Sequence, residues 1–171
     1  TSHPEIGFEV KLPDEPAETL CDRRLITQAV TNLVKNASEA IEAMGENPHK
    51  RDGYRGQIFV RLRAGEGTFM VEVIDNGIGL PQENRNRLVE PYMTTREKGT
   101  GLGLAIVKKI TEQHQGALVL EDASSAKCPE FRGRLEHGAC VRLTIPARNR
   151  SAAQAAGESS GESGELEEAA Q

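Results

Sequence analysis

Thr68-Phe69-Met70-Val71-Glu72-Val73-Ile74-Asp75-Asn76-Gly77-Ile78-Gly79 is the stretch on which the fold turns. Phe69, Val71 and Val73 take every second position, the period of a half-buried strand. The run to Ile74 ends directly in a carboxylate and a Gly-X-Gly turn. Just before it, Gln57 to Ala64 alternates in the same way, and Gly65-Glu66-Gly67 joins the two runs as a hairpin. A second glycine cluster, Gly99-Thr100-Gly101-Leu102-Gly103-Leu104, opens a helix running from Leu102 to His114, with Leu104, Ala105, Val107 and Ile110 at helical spacing and Gln115-Gly116 as its stop.

Upstream, Ile6 to Leu12 alternates as a strand and is closed by Pro13. Asp22 is a candidate N-cap for a longer helix. Leu25, Ile26, Ala29, Val30, Leu33, Val34, Ala37, Ala40 and Ile41 carry that helix to about Met44, with Gly45 expected to end it. Glu46 to Gly56 is polar and turn-rich. A short helix is expected around Arg85 to Val89, and strands at Ala117 to Glu121 and Ala139 to Ile145, the last ended by Pro146. Helices then cover one face of a mixed sheet, and the order is not a repeated βαβ, so the expected fold is an α/β two-layer sandwich. The domain is placed at residues 1–147. Residues 148–171, rich in Ser, Gly, Ala and Glu, are expected to form a disordered acidic tail.

Composition narrows the function classes. The net charge of −5 comes from five tail glutamates (Glu158, Glu162, Glu165, Glu167, Glu168); the other 21 acidic residues balance 21 basic ones. A nucleic-acid binder recruited by overall charge is therefore not expected. Cys21, Cys128 and Cys140 are odd in number, widely spaced and without a CxxC pair, which fits a reduced protein better than a disulfide framework or a zinc site. No apolar run approaches a membrane span, so no membrane contact is expected of this stretch. With 4% aromatic residues and no Trp, the core must be built from Leu, Ile, Val and Ala.

The polar residues of these segments point to chemistry. Asn32 and Asn36 are spaced i, i+4 and share a helix face. A solvated face would carry such a pair, but an amide carbonyl is also a hard, uncharged oxygen ligand suited to Mg²⁺ that bridges phosphates. Asp75 is either an ordinary turn-starting residue or an acceptor for the exocyclic amine of adenine, with Gly77 and Gly79 letting the base approach the backbone. Gly99 to Leu104 leads into a helix N-terminus, a natural phosphate cradle, and matches neither the Walker loop nor GxGxxG. Met93-Thr94-Thr95-Arg96-Glu97-Lys98 is a polar segment that could close over bound phosphates, Arg96 or Lys98 meeting the γ-phosphate; a plain solvated loop is the alternative. Together these features indicate a site for ATP and a divalent metal.

The same residues resemble the ATP-binding catalytic domain of bacterial sensor histidine kinases, within the wider superfamily of gyrase, heat-shock chaperone, kinase and MutL ATPases. Asn32-Leu33-Val34-Lys35-Asn36-Ala37 resembles the N box, Asp75 to Gly79 the G1 box, Leu88-Val89-Glu90-Pro91-Tyr92 the F box and Gly99 to Leu104 the G2 box. The segment Pro91 to Arg96 is most similar to nitrogen-regulation kinases of the NtrY and NtrB type. The resemblance implies a Bergerat (GHKL) fold with adenine on Asp75, Gly77 and Gly79, and Mg²⁺ on Asn36. It implies phosphates near Thr94, Thr95 and Gly99, Thr100, Gly101, Leu102, Gly103 and Leu104, and catalytic roles for Asn32, Asn36, Arg96 and Lys98. Asn32 stands where the ATPases of the superfamily place a water-activating glutamate, and an amide cannot act as that base.

Glu39 replaces a frequent lysine of such kinases, Val89 and Tyr92 replace two phenylalanines, and Ala139 follows Gly138 where Thr is often found. None of His3, His49, His114 and His137 lies in a phosphoacceptor context, and His114 reads as a favourable charge at a helix C-terminus when protonated. The expected function is therefore donation of the γ-phosphate of ATP to a histidine on a dimerisation domain elsewhere in the same protein, which passes it to a cognate response regulator. The expected location is the cytoplasm, as the cytoplasmic portion of a larger bacterial sensor kinase, membrane-anchored or not. An ATP hydrolase of the same superfamily and a nucleotide-dependent interaction module are the competing readings.

Overall fold

The computed structural model describes residues 6–47, 53–65, 67–93, 101–125 and 137–147. The tail from residue 148 lies outside the described residues. The chain forms β1 (Gly7–Lys11), α1 (Arg23–Glu46), β2 (Gln57–Gly65), β3 (Thr68–Asp75), α2 (Gly103–Gln113), β4 (Ala117–Asp122) and β5 (Ala139–Pro146), with short 3-10 turns at Arg85–Val89 and Ala123–Ser125. The sheet order is β1-β2-β3-β5-β4. Only β1 and β2 run parallel; the other neighbours are antiparallel. The sheet is thus mixed, as expected. Its parallel pair arises because α1 serves as the crossover between β1 and β2.

Both helices pack on one sheet face. Ala29, Leu33, Ala37 and Ile41 of α1 and Val107 and Ile110 of α2 meet Ile58, Val73, Val141, Leu143 and Ile145 in one buried cluster. The alanines keep α1 close to the strands, which an aromatic-poor core requires. On the far face Phe59, Ile74, Cys140 and Ala123 form a smaller cluster. Beside it Glu72, fully buried, lies directly opposite Arg61 on β2 and Arg142 on β5. Arg61 Nε donates to Glu72 Oε2 at 2.8 Å and Arg142 Nε to Oε1 at 3.0 Å, so both carboxylate oxygens are engaged.

Helix ends depart from expectation in two places. Gly45 does not stop α1, which runs on to Glu46 and is capped by Asn47, whose N–H donates to the Met44 carbonyl at 3.1 Å. Nothing lies within 4 Å of a Cβ added at Gly45, so no packing demand forces a break there. Beyond α2 the left-handed residue is Gln115 (φ 55°), not the glycine that follows it. Gly116 is needed for space instead, because a Cβ there would collide with the Thr144 carbonyl oxygen on β5.

At the other end of α1, Asp22 caps the helix as expected, accepting from the Arg24 and Leu25 N–H groups at 2.8 and 3.2 Å. The Asp22 N–H donates to Nε2 of His114 at 3.1 Å, and His114 Nδ1 lies 2.8 Å from the Ile110 carbonyl. In the tautomer with its proton on Nδ1 the ring makes both bonds at once, tying the start of α1 to the end of α2. No helix of the described residues is long and apolar enough to cross a membrane. Cys21 is exposed and Cys140 buried, and Cys128 lies outside the described residues.

Candidate functional site

The site is built where β3 ends. Asp75 is 4% exposed, and its Oδ1 accepts the Gly77 N–H at 2.8 Å, so the carboxylate is fixed by the turn it begins. The turn docks on α1, with the Ile78 N–H donating to the Ala40 carbonyl at 3.1 Å. A Cβ on Gly77 would come 2.6 Å from that same oxygen, so the glycine lets the turn touch the helix backbone. Gly79 has φ 77°, which makes it the glycine required for its conformation.

Asn76 locks the turn from the other side. Its Oδ1 accepts the Gln57 N–H at 2.7 Å and its Nδ2 donates to the Arg55 carbonyl at 2.8 Å. Tyr54 donates to the Asn76 carbonyl at 3.1 Å. Burial, and then the nearby negative charge of Asp75, push the Tyr54 phenol up to about 12. Gly138 approaches from β5 so closely that a Cβ there would overlap the Asp75 carbonyl oxygen. Three elements therefore hold one carboxylate in place.

The opposite wall comes from α1 and α2. Asn36 faces the first residue of α2: a Cβ on Gly103 would lie 3.0 Å from Asn36 Oδ1. Leu102 is the N-cap of α2 and makes no side-chain cap bond, which leaves first-turn N–H groups for an anion. Gly101 (φ 66°) accepts the Tyr92 N–H on its carbonyl at 3.1 Å, tying the Pro91-Tyr92-Met93 segment to the entrance of α2. Tyr92 itself has φ 64° and is 78% exposed.

These walls enclose a cavity of about 100 Å³. Of the residues singled out from the sequence, Asn36, Asp75, Gly79, Gly101, Gly103 and Leu104 line it together, on apolar walls that include Leu33, Ala37, Val73, Ile78, Leu80 and Met93. Gly77 and Leu102 support it from behind, as packing glycine and helix cap. Asn32 does not line it, and its Nδ2 is buried without a hydrogen-bond partner among the described residues. Thr94, Thr95, Arg96, Lys98, Gly99 and Thr100 lie outside the described residues. Glu39 and Ala139, noted above as departures from the resemblance, both line the cavity.

Sequence reasoning missed Tyr54, and it named Asn76 and Gly138 within the boxes without the contacts they make. The first lies in a stretch readable only as loop, and the last acts through a contact between distant strands. The Asn76 side chain carried a usable signal, since Asp-Asn-Gly at a strand end favours side-chain bonds to backbone. No group of three or more His, Cys, Asp or Glu suited to a metal occurs among the described residues. A cation here would rest on amide oxygen and ligand phosphates rather than on a dedicated cage.

Comparison with known proteins bears on the fold and the family. Residues 21–149 match the model of the histidine kinase-, DNA gyrase B- and HSP90-like ATPase family. Nitrogen regulation protein NtrY of Azorhizobium caulinodans is 52% identical over 149 residues, covering 85% of this chain and 17% of that relative. The sensory histidine kinase/phosphatase NtrB of Rhodobacter capsulatus is 42% identical over 108 residues, 61% of this chain and 30% of that protein. Among solved structures, the mycobacterial sensor histidine kinase MprB superposes with a TM-score of 0.64 at 29% identity, covering 84% of this chain and 83% of that one. The chain spans under a third of the length of both curated relatives. With that match across well over half of its residues, on a fold of the same kind, the chain belongs to the histidine kinase-, DNA gyrase B- and HSP90-like ATPase family.

Proposed function

We propose that the cleft binds ATP with Mg²⁺ and presents the γ-phosphate to a histidine on another domain of a longer two-component sensor kinase, of the nitrogen-regulation type. One observation carries the reading: Asn36, Asp75, Gly101 and Gly103 line a single cavity. The buried Asp75 carboxylate accepts from the exocyclic amine of adenine, while guanine would set a carbonyl against it. The apolar walls cover the base. The cavity is smaller than the ~300–1,000 Å³ of whole-ligand sites, so it suits the base end, with the phosphates reaching toward the start of α2.

Asn36 fits a magnesium ion because its carbonyl is a hard oxygen and Gly103 leaves room beside it. When bound, the cation would screen the phosphate charge. Asn36 and the first turn of α2 then hold the triphosphate in line for attack, Arg96 and Lys98 supplying further charge, so this domain contributes position and electrostatics rather than a nucleophile. The acceptor lies elsewhere: His114 is held by two hydrogen bonds in the fold, and His137 is an exposed loop residue. The partners are a histidine-bearing dimerisation domain of the same protein and a response regulator, in the cytoplasm.

The test supplies γ-labelled ATP, Mg²⁺ and the dimerisation domain in trans. Acid-labile, base-stable label on that domain is expected. Steady phosphate release by this chain alone, without such label, would favour hydrolysis instead; nucleotide binding with neither would favour an interaction module.

A further inference from the structure

β4 is an outer strand of the sheet, with β5 on one side and no strand on the other among the described residues. The ladder decides which of its backbone groups face outward. The Ala123 N–H donates to the Gly138 carbonyl at 3.0 Å, and these two residues form the next pair in the register of β4 on β5. Hydrogen-bonded pairs alternate along an antiparallel ladder, so Val119 and Glu121 also bond to β5. Leu118 and Leu120 therefore aim their N–H and C=O groups away from it, and no bond of these groups occurs among the described residues. β4 also lacks the Pro and Lys that blunt an exposed edge. Beside this edge, on the helix side, lies a groove of about 550 Å³, within the range of ligand sites. Leu118 and Leu120 line it together with Lys108 and Glu112 of α2 and Asn86 and Val89 of the 3-10 turn. Arg85 pairs with Asp122 at 2.8 Å, which fixes that turn to the end of β4. Lys108 and Glu112 balance each other at 3.9 Å.

We infer that the β4 edge and this groove form a docking site for an extended segment of a partner polypeptide, apolar at alternate positions, which joins the sheet as a further strand. The inference is independent of the ATP reading. The outward groups of Leu118 and Leu120 are donor–acceptor pairs about 7 Å apart, the repeat at which a neighbouring strand offers its own. Every second side chain of that strand enters the groove beside Val89 and the two leucines, where an apolar group is favoured because the charges present are already paired. The remaining side chains stand on the far face beside Val119 and Glu121, so they are polar. A single strand enters between α2 and the turn. A second copy of this domain would bring its own α2 and turn against these walls.

The probe is a labelled peptide of alternating valine and threonine with a lysine at each end, titrated into the full chain by fluorescence anisotropy and by amide hydrogen exchange. In the free chain the Leu118 and Leu120 amides should exchange fast and those of Val119 and Glu121 slowly. The peptide should slow the first pair by about tenfold or more and leave the second unchanged. N-methylation of one alternate set of its residues, the set facing β4, should weaken binding by about tenfold or more, and methylation of the other set should leave it within about twofold. Asn86→Trp, an exposed position that fills the groove, should weaken the peptide by about tenfold while circular dichroism shows an unchanged fold. No binding, no slowing at Leu118 and Leu120, or equal effects of the two methylated peptides would overturn the inference. Self-association that protects those two amides before any peptide is added would assign the edge to a second copy and overturn it as well.

Discussion

Substituting Gly77 and Gly45 by alanine tests how the site is built, because the two glycines face opposite demands. Neither needs a left-handed backbone. At Gly77 an added Cβ lies 2.6 Å from the Ala40 carbonyl oxygen and 2.7 Å from the Ala40 Cβ, whereas ordinary contact starts at 3.4 Å. The turn must therefore retreat from α1 by about 1 Å, at an overpacking cost of about 1–3 kcal/mol. The Ile78–Ala40 hydrogen bond is lost in that shift, adding about 1 kcal/mol. Gly77→Ala should thus destabilise by about 2–4 kcal/mol. At Gly45 nothing stands within 4 Å and the residue is helical, so alanine should stabilise by about 0.5–1 kcal/mol. Urea unfolding followed by circular dichroism measures both. ATP titration should show weakened binding for Gly77→Ala, whose turn carries Asp75, and no change for Gly45→Ala. A Gly77→Ala protein as stable as wild type, or a destabilised Gly45→Ala, would refute the claim that close approach to α1 positions the turn.

Glu72→Gln should cost about 3 kcal/mol or more in urea unfolding, because it removes the carboxylate that the buried Arg61 and the partly buried Arg142 share, leaving Arg142 with Glu121 alone. Tyr54 should give a tyrosinate absorbance that rises near pH 12 in a Tyr92→Phe background, and at lower pH once Asp75→Asn removes the second cause of the shift. The sign for stability follows: the unfolded phenol loses its proton near 10 and the folded one near 12, so stability is whole below about pH 10 and falls as pH rises between these values. His114→Ala should lower stability by about 1 kcal/mol by removing the acceptor of the Asp22 N–H, and hydrogen exchange should show the start of α1 opening more readily.

Local order was the most legible part of this chain. Alternation marked β2 and β3 because their helix-facing residues pack into the core and their partners are adjacent, and seven of the nine apolar positions of α1 join that core. The constellation of Asn36, Asp75 and the glycines was legible because each sits at an element boundary with its own composition. What could not be read depends on distant pieces meeting. Gly138 matters through the Asp75 carbonyl, and Gly116 through Thr144. Glu72 reads as a solvent-facing position in an alternating strand, yet it is fully buried by the arginines opposite it. Gly45 misled for the opposite reason: a stop signal carries no force where the surrounding space is empty.

The most direct measurement is a pair of titrations, ATP and GTP in Mg²⁺, into the wild type and Asp75→Asn. The account predicts that the wild type binds ATP far more tightly than GTP and that Asp75→Asn loses most of the ATP affinity while keeping its fold. Equal affinity for the two nucleotides, or undiminished ATP binding by the variant, would contradict the placement of the base against Asp75.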